Sequence, residues 1–282
     1  MSSNTGEIKY GNQITIVTQQ SVITDIVKEI STTGFKVDVT VNAALGNNQG
    51  RGICFSTSSN PTVSNTQFSA PTNGSGSFTI TVDNIPFGTN FFVSPGVTYY
   101  LRSYVNIDGQ YYYGNQVQFR VCGYTGGSGG IVFYDKGETT NGWRYLESAP
   151  SYYVHNNDFN FLFLWNNCNP TTFISGLSNS IGTGLENSNI LKPLCNFASN
   201  AATSARNNQL NGFNDWFLPS LEELKQLYKA KYAGVISYNG FYTLISSSQQ
   251  TNSVNYGVDF SNGSTVGMNK NSAGRIWQVR RF

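Results

Sequence analysis

The sequence predicts a mainly β protein of two domains, a β-sandwich followed by an α+β domain. Aromatic residues make up 14% of the 282 positions, which favours a folded, strand-rich chain over a disordered one. Apolar and polar residues alternate repeatedly between positions 33 and 121, whereas the longest helix-spaced apolar stripes lie in the second half of the chain. A chain of this length can build two domains, each with its own core.

The first 32 residues differ in pattern from the chain that follows. Ile14 and Ile16 alternate with polar residues, and further apolar residues recur at near-helical spacing from Ile23 to Ile30. A segment of this length is too short to fold alone. We interpret residues 1–32 as an N-terminal docking arm against other subunits. The alternative is a first strand and helix of the next domain.

Residues 33–121 have the pattern of an all-β domain. Apolar and polar residues alternate in stretches at 35–41, 78–82, 99–105 and 117–121. Turn-forming residues separate these stretches, which predicts several short strands packed as a β-sandwich. The Gly-rich segment 122–130 (CGYTGGSGG) then has the composition of a flexible linker, with an ordered entry to the next domain as the favoured alternative.

Two helices are predicted within residues 131–282. The first should cover about 189–206, where apolar residues share one face and Asn189 can cap the N-terminus. The second should begin at Ser220, because Ser220 and Glu223 form the S-x-x-E pattern of a capping box ahead of spaced leucines. The remainder has the alternation and turn residues of strands, so this part is expected to be α+β.

Charged residues make up only 11% of the chain, with a formal net charge of +2. The basic residues are scattered, which argues against nucleic-acid binding because that function needs clustered cations. No run of about 18 apolar residues occurs, so no membrane insertion is expected. Residues 1–20 lack a secretory signal pattern. We therefore expect either a signal that has been removed or release of the protein inside an assembled particle.

No residue set predicts an enzyme. The chain has one histidine, His155, and no CxxC pair, so neither a hydrolase triad nor a zinc site is indicated. Glycoside hydrolysis would need a pair of carboxylates in an aromatic cleft, and the sequence indicates no such pair. The candidate carboxylates are Glu147, Asp158, Glu186, Asp215, Glu222, Glu223 and Asp259. We expect no catalytic residues, no metal and no cofactor.

Four motifs carry a family resemblance: GGIVFY at 129–134, GWRYLE at 142–147, DWFLPS at 215–220 and RRF at 280–282. In this order they resemble the Lcl-type C-terminal domain, a branch of the C-type-lectin-like fold found on bacterial surface proteins and phage appendages. The resemblance implies a rigid scaffold that displays a binding surface. It also implies that Asp215 holds a turn through backbone hydrogen bonds. The calcium-binding motifs of sugar-binding lectins are absent.

Residues 52–62 and 99–119 are similar to fibronectin-type-III-like modules of Bacteroidetes surface proteins. This resemblance implies that residues 33–121 form an Ig/fibronectin-III-like β-sandwich, which spaces or packs neighbouring modules. Cys168 and Cys195 fall where the lectin-like family often has cysteines, so a disulfide is implied, with two buried thiols as the alternative.

The lectin-like resemblance also implies where a ligand would bind. In relatives diversified by retroelements, the zone corresponding to residues 242–274 carries the ligand-contacting positions. Asparagine, serine and tyrosine side chains suit adaptable recognition. The expected ligand-binding residues are Ser247, Gln249, Gln250, Asn252, Asn255, Tyr256, Asn269 and Asn271. The alternative is an ordinary polar surface.

These expectations together favour a non-enzymatic phage structural protein, a capsid-decorating or fibre protein on the virion surface. Its residues 1–32 would bind other virion proteins, and its lectin-like head would bind a host-surface or mucosal glycan or protein. A homo-oligomer, a trimer or dimer, is expected. The alternatives are a bacterial cell-surface adhesin whose signal has been removed and a structural decoration without a ligand.

Overall fold

The computed structural model describes residues 22–42, 48–83, 92–152, 162–166, 168, 170–195, 197, 199–238 and 243–282. Most of the expected docking arm therefore lies outside the described residues, as do His155 and Asp158. The N-terminal part contains β1 (Val22–Lys28), β2 (Gly34–Val41), β3 (Asn48–Ser56), β4 (Thr66–Ser69), β5 (Gly76–Asp83), β6 (Thr98–Ile107) and β7 (Gln110–Arg120). The C-terminal part contains β8 (Tyr124–Thr125), β9 (Ile131–Thr140), β10 (Trp143–Ser148), β11 (Phe163–Leu164), α1 (Gly184–Leu191), α2 (Ala201–Asn207), α3 (Leu221–Tyr232), β12 (Thr243–Gln249), β13 (Val254–Asp259), β14 (Thr265–Asn269), β15 (Ala273–Gly274) and β16 (Val279–Arg281).

The protein is mainly β, with several antiparallel sheets. In the N-terminal part, a sheet of order β1-β2-β5 faces a sheet of order β4-β3-β6-β7. The alternating residues of both sheets share one core, which includes Phe35, Val37, Ile53, Leu101 and Phe119. The period-2 alternation of the sequence produces this arrangement because successive side chains of a strand point to opposite faces.

Residues 22–32 belong to this pair of sheets and do not form a separate arm. β1 pairs with β2, and the Thr24 hydroxyl hydrogen-bonds Ser103 Oγ at 2.9 Å and the Asn115 carbonyl oxygen at 2.8 Å. The alternative that this stretch belongs to the next domain is therefore correct, but the stretch forms a strand where the spacing predicted a helix. A register shift between Thr24 and Ile26 interrupts the alternation, and this bulge accounts for the spacing that resembled a helix.

The Gly-rich segment 122–130 is ordered, so of the two interpretations the ordered entry to the next domain is correct and the flexible linker is not. Tyr124 and Thr125 pair with β9, and the Gly126 N–H donates to the Gly130 carbonyl oxygen at 2.9 Å. A Cβ added to Gly126 would lie 2.4 Å from the Glu147 carboxyl group. The absence of a side chain at Gly126 therefore lets the backbone approach the Glu147 carboxyl group closely, and it does not make the segment flexible.

The C-terminal part has two sheets with helices beside them. One sheet has the order β16-β10-β9-β8 and the other the order β12-β13-β14. The larger core cluster, which includes Phe133, Trp216, Leu224 and Trp277, draws residues from both sheets and from α3. The last strand of the chain, β16, pairs with β10, which contains all but the first residue of the GWRYLE motif.

The expected helix over 189–206 is two helices. α1 ends at Leu191, a 3-10 turn covers Lys192–Leu194, and α2 begins at Ala201. Pro193 interrupts the first helix because it has no N–H for an intrahelical bond. Asn200 caps α2 by accepting a hydrogen bond from Thr203 N, whereas Asn189 lies inside α1.

Two other local features appear in this part. The predicted capping box of α3 is confirmed, since Ser220 accepts from Glu223 N while the Glu223 carboxylate accepts from Ser220 N. A disulfide joins Cys168 and Cys195, whose Cα atoms are 5.5 Å apart.

Backbone hydrogen bonds connect the N-terminal and C-terminal parts. Ile30 and Asp135 exchange two of them, each 2.8 Å long. Lys229 of α3 forms an ion pair with Asp83 of β5 at 2.6 Å. Among the described residues, no helix has the length and apolar character needed to cross a bilayer.

Candidate functional site

The expected ligand-binding residues lie at one end of the β12-β13-β14 sheet. The turn at 250–253 connects β12 to β13, and its Ser253 carbonyl oxygen accepts a 2.9 Å hydrogen bond from Lys270 N, just after β14. Gln250 and Asn252 of the turn therefore lie beside Asn269 and Asn271. All four side chains are exposed, and we call them the amide patch.

The strand register divides the expected residues between two faces of the sheet. Side chains of directly paired residues share a face. Tyr256 is paired with Gly267, and Val254 with Asn269, on what we call the glycine face. Asn255 is paired with Met268 on the opposite, methionine face. The eight residues thus do not form one continuous surface.

Gln250 and Asn269 of the amide patch lie on the glycine face. A Cβ added to Gly267 would lie 2.8 Å from Gln250 Oε1, so the Gln250 side chain lies over this glycine. Tyr256 is half-buried beside it. The exposed groups here are neutral hydrogen-bond donors and acceptors, which can bind a polar ligand without desolvating a charge.

Ser247 and Asn255 do not contact solvent, so their expected role as direct ligand contacts is wrong. Ser247 is 0% exposed, and its hydroxyl accepts a 3.1 Å hydrogen bond from Asn187 of α1. Asn255 is 1% exposed, and its amide donates to the Tyr256 carbonyl oxygen at 3.0 Å. Helices and loops cover β12 on both faces. The sequence pattern of the strand alone does not indicate that both faces are buried.

The serine run of β12 is part of the framework. Ser246 donates to the Tyr256 carbonyl oxygen at 2.7 Å. Ser248 donates to the Ser178 carbonyl oxygen at 2.9 Å and accepts from Leu221 N at 3.0 Å. These bonds join β12 to β13 and to the start of α3, so the amide patch rests on a support that is internally hydrogen-bonded.

Gln249 and Lys270 hold a neighbouring segment against the methionine face. The Gln249 carboxamide forms hydrogen bonds with both the N–H and the carbonyl of Ile174. Lys270 Nζ donates to the Thr172 carbonyl oxygen at 2.6 Å and to Gln249 Oε1 at 3.0 Å. Gln249 is thus a positioning residue, although the sequence suggested a direct contact.

Sequence reasoning missed Lys270. Its side chain is 0% exposed, its ammonium lies 4.7 Å from the centre of the Trp165 ring, and burial lowers its pKa. The only available signal was that it is the single cation within residues 252–274, where the one other charged residue is Asp259.

The candidate carboxylates that the structure describes make structural contacts. Glu223 caps α3 and also accepts from Gly182 N at 2.9 Å, while burial raises its pKa to about 7. Glu186 is paired with Arg281 and Glu222 with Lys225. Asp259 accepts from Ser261 N at 2.8 Å in the β13–β14 hairpin.

Glu147 and Asp215 share one cation. Arg280 Nη1 lies 3.1 Å from Glu147 Oε2, and its Nε and Nη2 bond the Asp215 carboxylate at about 3.0 Å. The guanidinium also lies 4.0 Å from the centre of the Phe213 ring. Asp215 therefore holds its turn through a bidentate ion pair, and the backbone hydrogen bonds implied by the family resemblance are not its main contacts.

In the part of the chain that the structure describes, no group of three or more His, Cys, Asp or Glu residues is placed to hold a metal ion. No protein-family model, curated protein or solved structure matches the chain.

Proposed function

We propose that this chain is a non-enzymatic structural protein of a phage particle, a capsid-decorating or fibre protein at the virion surface. Its C-terminal part would bind a host-surface or mucosal glycan or protein through the amide patch. The observation that carries the proposal is a set of exposed neutral amides on a framework in which Ser246, Ser247 and Ser248 are hydrogen-bonded to neighbouring elements. Such side chains suit adaptable hydrogen bonding to a polar ligand.

The strand order supports a fibronectin-III-like assignment of the N-terminal part. Three strands in the order β1-β2-β5 face four in the order β4-β3-β6-β7, as in a two-sheet antiparallel sandwich. In the C-terminal part, two sheets with adjoining helices and a last strand paired to β10 support the proposed C-type-lectin-like fold. In this arrangement the sandwich is the spacer and the lectin-like part is the head.

Attachment to the particle is proposed to involve the N-terminal residues before β1. Residues 22–28 are committed to the sandwich, so the docking segment is shortened to residues 1–21, which lie outside the described residues. Other virion proteins would be the partners of this segment.

A bacterial cell-surface adhesin is the second candidate function. The sequence resemblance to the Lcl-type domain is shared with bacterial surface proteins, and a display head on a spacer suits either location. The amide patch would serve the same role in both cases. A decoration without any ligand would use neither the patch nor the glycine face.

Binding of the purified protein to intact candidate host cells and to a printed glycan array tests the proposal. The variant Gln250→Ala/Asn252→Ala/Asn269→Ala/Asn271→Ala removes the amide patch. The control Ser261→Ala/Asn262→Ala alters exposed residues at the opposite end of the same hairpin. We expect saturable binding that the patch variant loses and the control retains. Absence of binding by the folded wild type would contradict the proposal and favour a decoration without a ligand.

A further inference from the structure

The outer face of the β4-β3-β6-β7 sheet carries tyrosines at the end nearest the β6–β7 hairpin. The core-facing residues of β6 alternate with Tyr104 and Asn106, which therefore point to the outer face. Directly paired residues share a face. Tyr111 of β7 is paired with Asn106, and Gly50 and Gly52 of β3 are paired with Asn106 and Tyr104. Two tyrosines, an asparagine and two glycines thus lie together on this outer face.

The two glycines shape this face in different ways. A Cβ added to Gly52 would lie 2.7 Å from the Tyr104 hydroxyl oxygen, so the Tyr104 side chain lies over this glycine. The same hydroxyl is hydrogen-bonded to Ser69 Oγ of β4 at 3.1 Å. A Cβ added to Gly50, in contrast, would have no atom of the described residues within 4 Å. The missing side chain at Gly50 therefore leaves open space beside its paired residue, Asn106.

Tyr111 presents an exposed ring that is held in place. The ring packs edge to face against Tyr104, with the two ring centres 5.7 Å apart. Tyr104 is itself buried, whereas Tyr111 remains 38% exposed. A fixed and exposed aromatic ring can stack against a ligand at a small cost in side-chain entropy. We call Gly50, Asn106 and Tyr111 the tyrosine notch.

The Asn106 carboxamide has an unused hydrogen-bond acceptor. Its Oδ1 atom is shielded from solvent and has no hydrogen-bond partner in the described part of the chain. An acceptor in that state costs free energy, which a ligand hydroxyl group would recover. Cross-strand neighbours on one face have Cβ positions about 5 Å apart, so a ligand group in the space over Gly50 lies within reach of the carboxamide when that side chain turns toward it.

Neither neighbouring arginine is directed into the tyrosine notch. Arg51 points to the core side, where its guanidinium lies 4.1 Å from the centre of the Phe78 ring. Arg102 lies on the outer face, but its Nε donates to the Gly114 carbonyl oxygen at 3.1 Å and its guanidinium lies 4.7 Å from the centre of the Tyr113 ring. The three residues of the notch are themselves neutral, so the notch suits a ligand without charge.

We propose that the tyrosine notch is a second binding site of this protein and that its ligand is a neutral carbohydrate. The C–H face of a sugar ring would stack on Tyr111, while a hydroxyl group in the space over Gly50 would donate to Asn106. A proline-rich peptide would also stack on the ring, but its prolines have no N–H to donate to this acceptor. The site lies on the N-terminal part and does not depend on the amide patch.

Nuclear magnetic resonance titration of the isotope-labelled full chain tests the site. The probes are three neutral oligosaccharides, namely cellohexaose, maltohexaose and the chitin hexasaccharide, together with a decaproline peptide. We expect at least one oligosaccharide to shift the backbone amide signals of Gly50, Asn106 and Tyr111 saturably. A shallow site that holds one sugar ring should have a dissociation constant on the order of 1 mM. Decaproline should shift these signals less.

Two exposed tyrosines provide a matched pair of variants. Tyr111→Ala should weaken oligosaccharide binding, measured at Asn106, at least about tenfold. The control Tyr112→Ala removes a ring that is 45% exposed but is paired with Val105 on the core side, so it should bind as the wild type does. Gly50→Thr fills the notch and should weaken binding as Tyr111→Ala does. A β-branched residue suits a strand, so the fold should be retained.

Several results would overturn this inference. They are absence of signal changes with all three oligosaccharides, equal losses in Tyr111→Ala and Tyr112→Ala, and wild-type binding by Gly50→Thr. A stronger response of the same signals to decaproline would make the notch a peptide site. The amide-patch variant Gln250→Ala/Asn252→Ala/Asn269→Ala/Asn271→Ala should leave the response unchanged. Failure of this site is therefore distinguishable from failure of the proposed function.

Discussion

Replacement of Arg280 by methionine should destabilise the protein far more than replacement of its neighbour Arg281. Arg280 is 8% exposed and is the cationic partner of Glu147, whose side chain is 0% exposed. Methionine retains much of the apolar stem against the Phe213 ring but removes every charged hydrogen bond. The Arg280→Met variant therefore leaves a buried carboxylate without its cation.

The expected magnitude follows from what Glu147 retains. Its Oε1 still accepts from Ser128 N at 2.9 Å and from Ser128 Oγ at 2.6 Å, whereas Oε2 loses its partner. Breaking a buried ion pair by removing one partner typically costs about 3–5 kcal/mol. For a protein of this size, that loss lowers the melting temperature by roughly 6–20 °C.

Thermal and urea denaturation of wild type, Arg280→Met and Arg281→Met measure the difference. Arg281 is paired with Glu186, whose side chain is 54% exposed, so its replacement should cost no more than about 1 kcal/mol. The double variant Glu147→Gln/Arg280→Met removes the orphaned charge while keeping an oxygen for Ser128. It should recover at least half of the stability that Arg280→Met loses.

Equal effects of Arg280→Met and Arg281→Met would refute this reasoning. The reasoning would also be refuted if the stability lost by Glu147→Gln/Arg280→Met equals the sum of the losses of Glu147→Gln and Arg280→Met. Such additivity means that the two side chains do not interact.

Three further predictions concern titration, crosslinking and thiol reactivity. Burial raises the pKa of Glu223 from 4.5 to about 7, so the folded state holds this proton more tightly than the unfolded state does. Up to about 3 kcal/mol of the free energy of unfolding, present below pH 4.5, should therefore be lost as the pH rises through 7. Urea denaturation of Glu223→Gln at the same pH values should not show this pH dependence. The variant Cys168→Ser/Cys195→Ser, which opens a loop between cysteines 27 residues apart, should lose about 3–4 kcal/mol in the same assay. Burial raises the pKa of Cys54 to about 11 and that of Cys122 well above its usual value, so neither thiol should react with a disulfide reagent at pH 8 until the protein is unfolded.

Each of these three predictions has a contradicting result. A wild-type stability that is flat from pH 4.5 to 7.5 would mean that the Glu223 carboxyl titrates alike in the folded and unfolded states. Unchanged stability of the double serine variant would mean that the crosslink does not restrict the unfolded chain. Labelling of the native protein at the rate of a free cysteine would mean that the thiols are accessible.

The sequence was most informative where local chemistry decides the structure. The alternating residues around Val37 and Leu101 lie in strands, because period 2 matches the pleat of a sheet. Ser220 and Glu223 form the predicted capping box, because both partners lie within one helical turn. In these cases the determining contacts are near in sequence.

The sequence was less informative where distant residues decide the structure. The order of Gly126 depends on its packing against Glu147, 21 positions later, and composition alone suggested a linker. The burial of Ser247 depends on α1, which covers it from a distant part of the chain. The inward turn of Lys270 depends on the carbonyl of Thr172. No periodicity within residues 242–274 contains this information. Three of the eight expected site residues, Ser247, Gln249 and Asn255, therefore could not be told from the residues that support the site.

The paired hydrogen bonds between Ile30 and Asp135 have a mechanical consequence. Two parts of a chain joined only by a slack glycine tether would yield to a pulling load by extension of the tether. Here the load would pass across a backbone ladder and the Lys229–Asp83 ion pair, so that several bonds must fail together. The N-terminal and C-terminal parts should therefore bear a pulling load together, as one stiff unit.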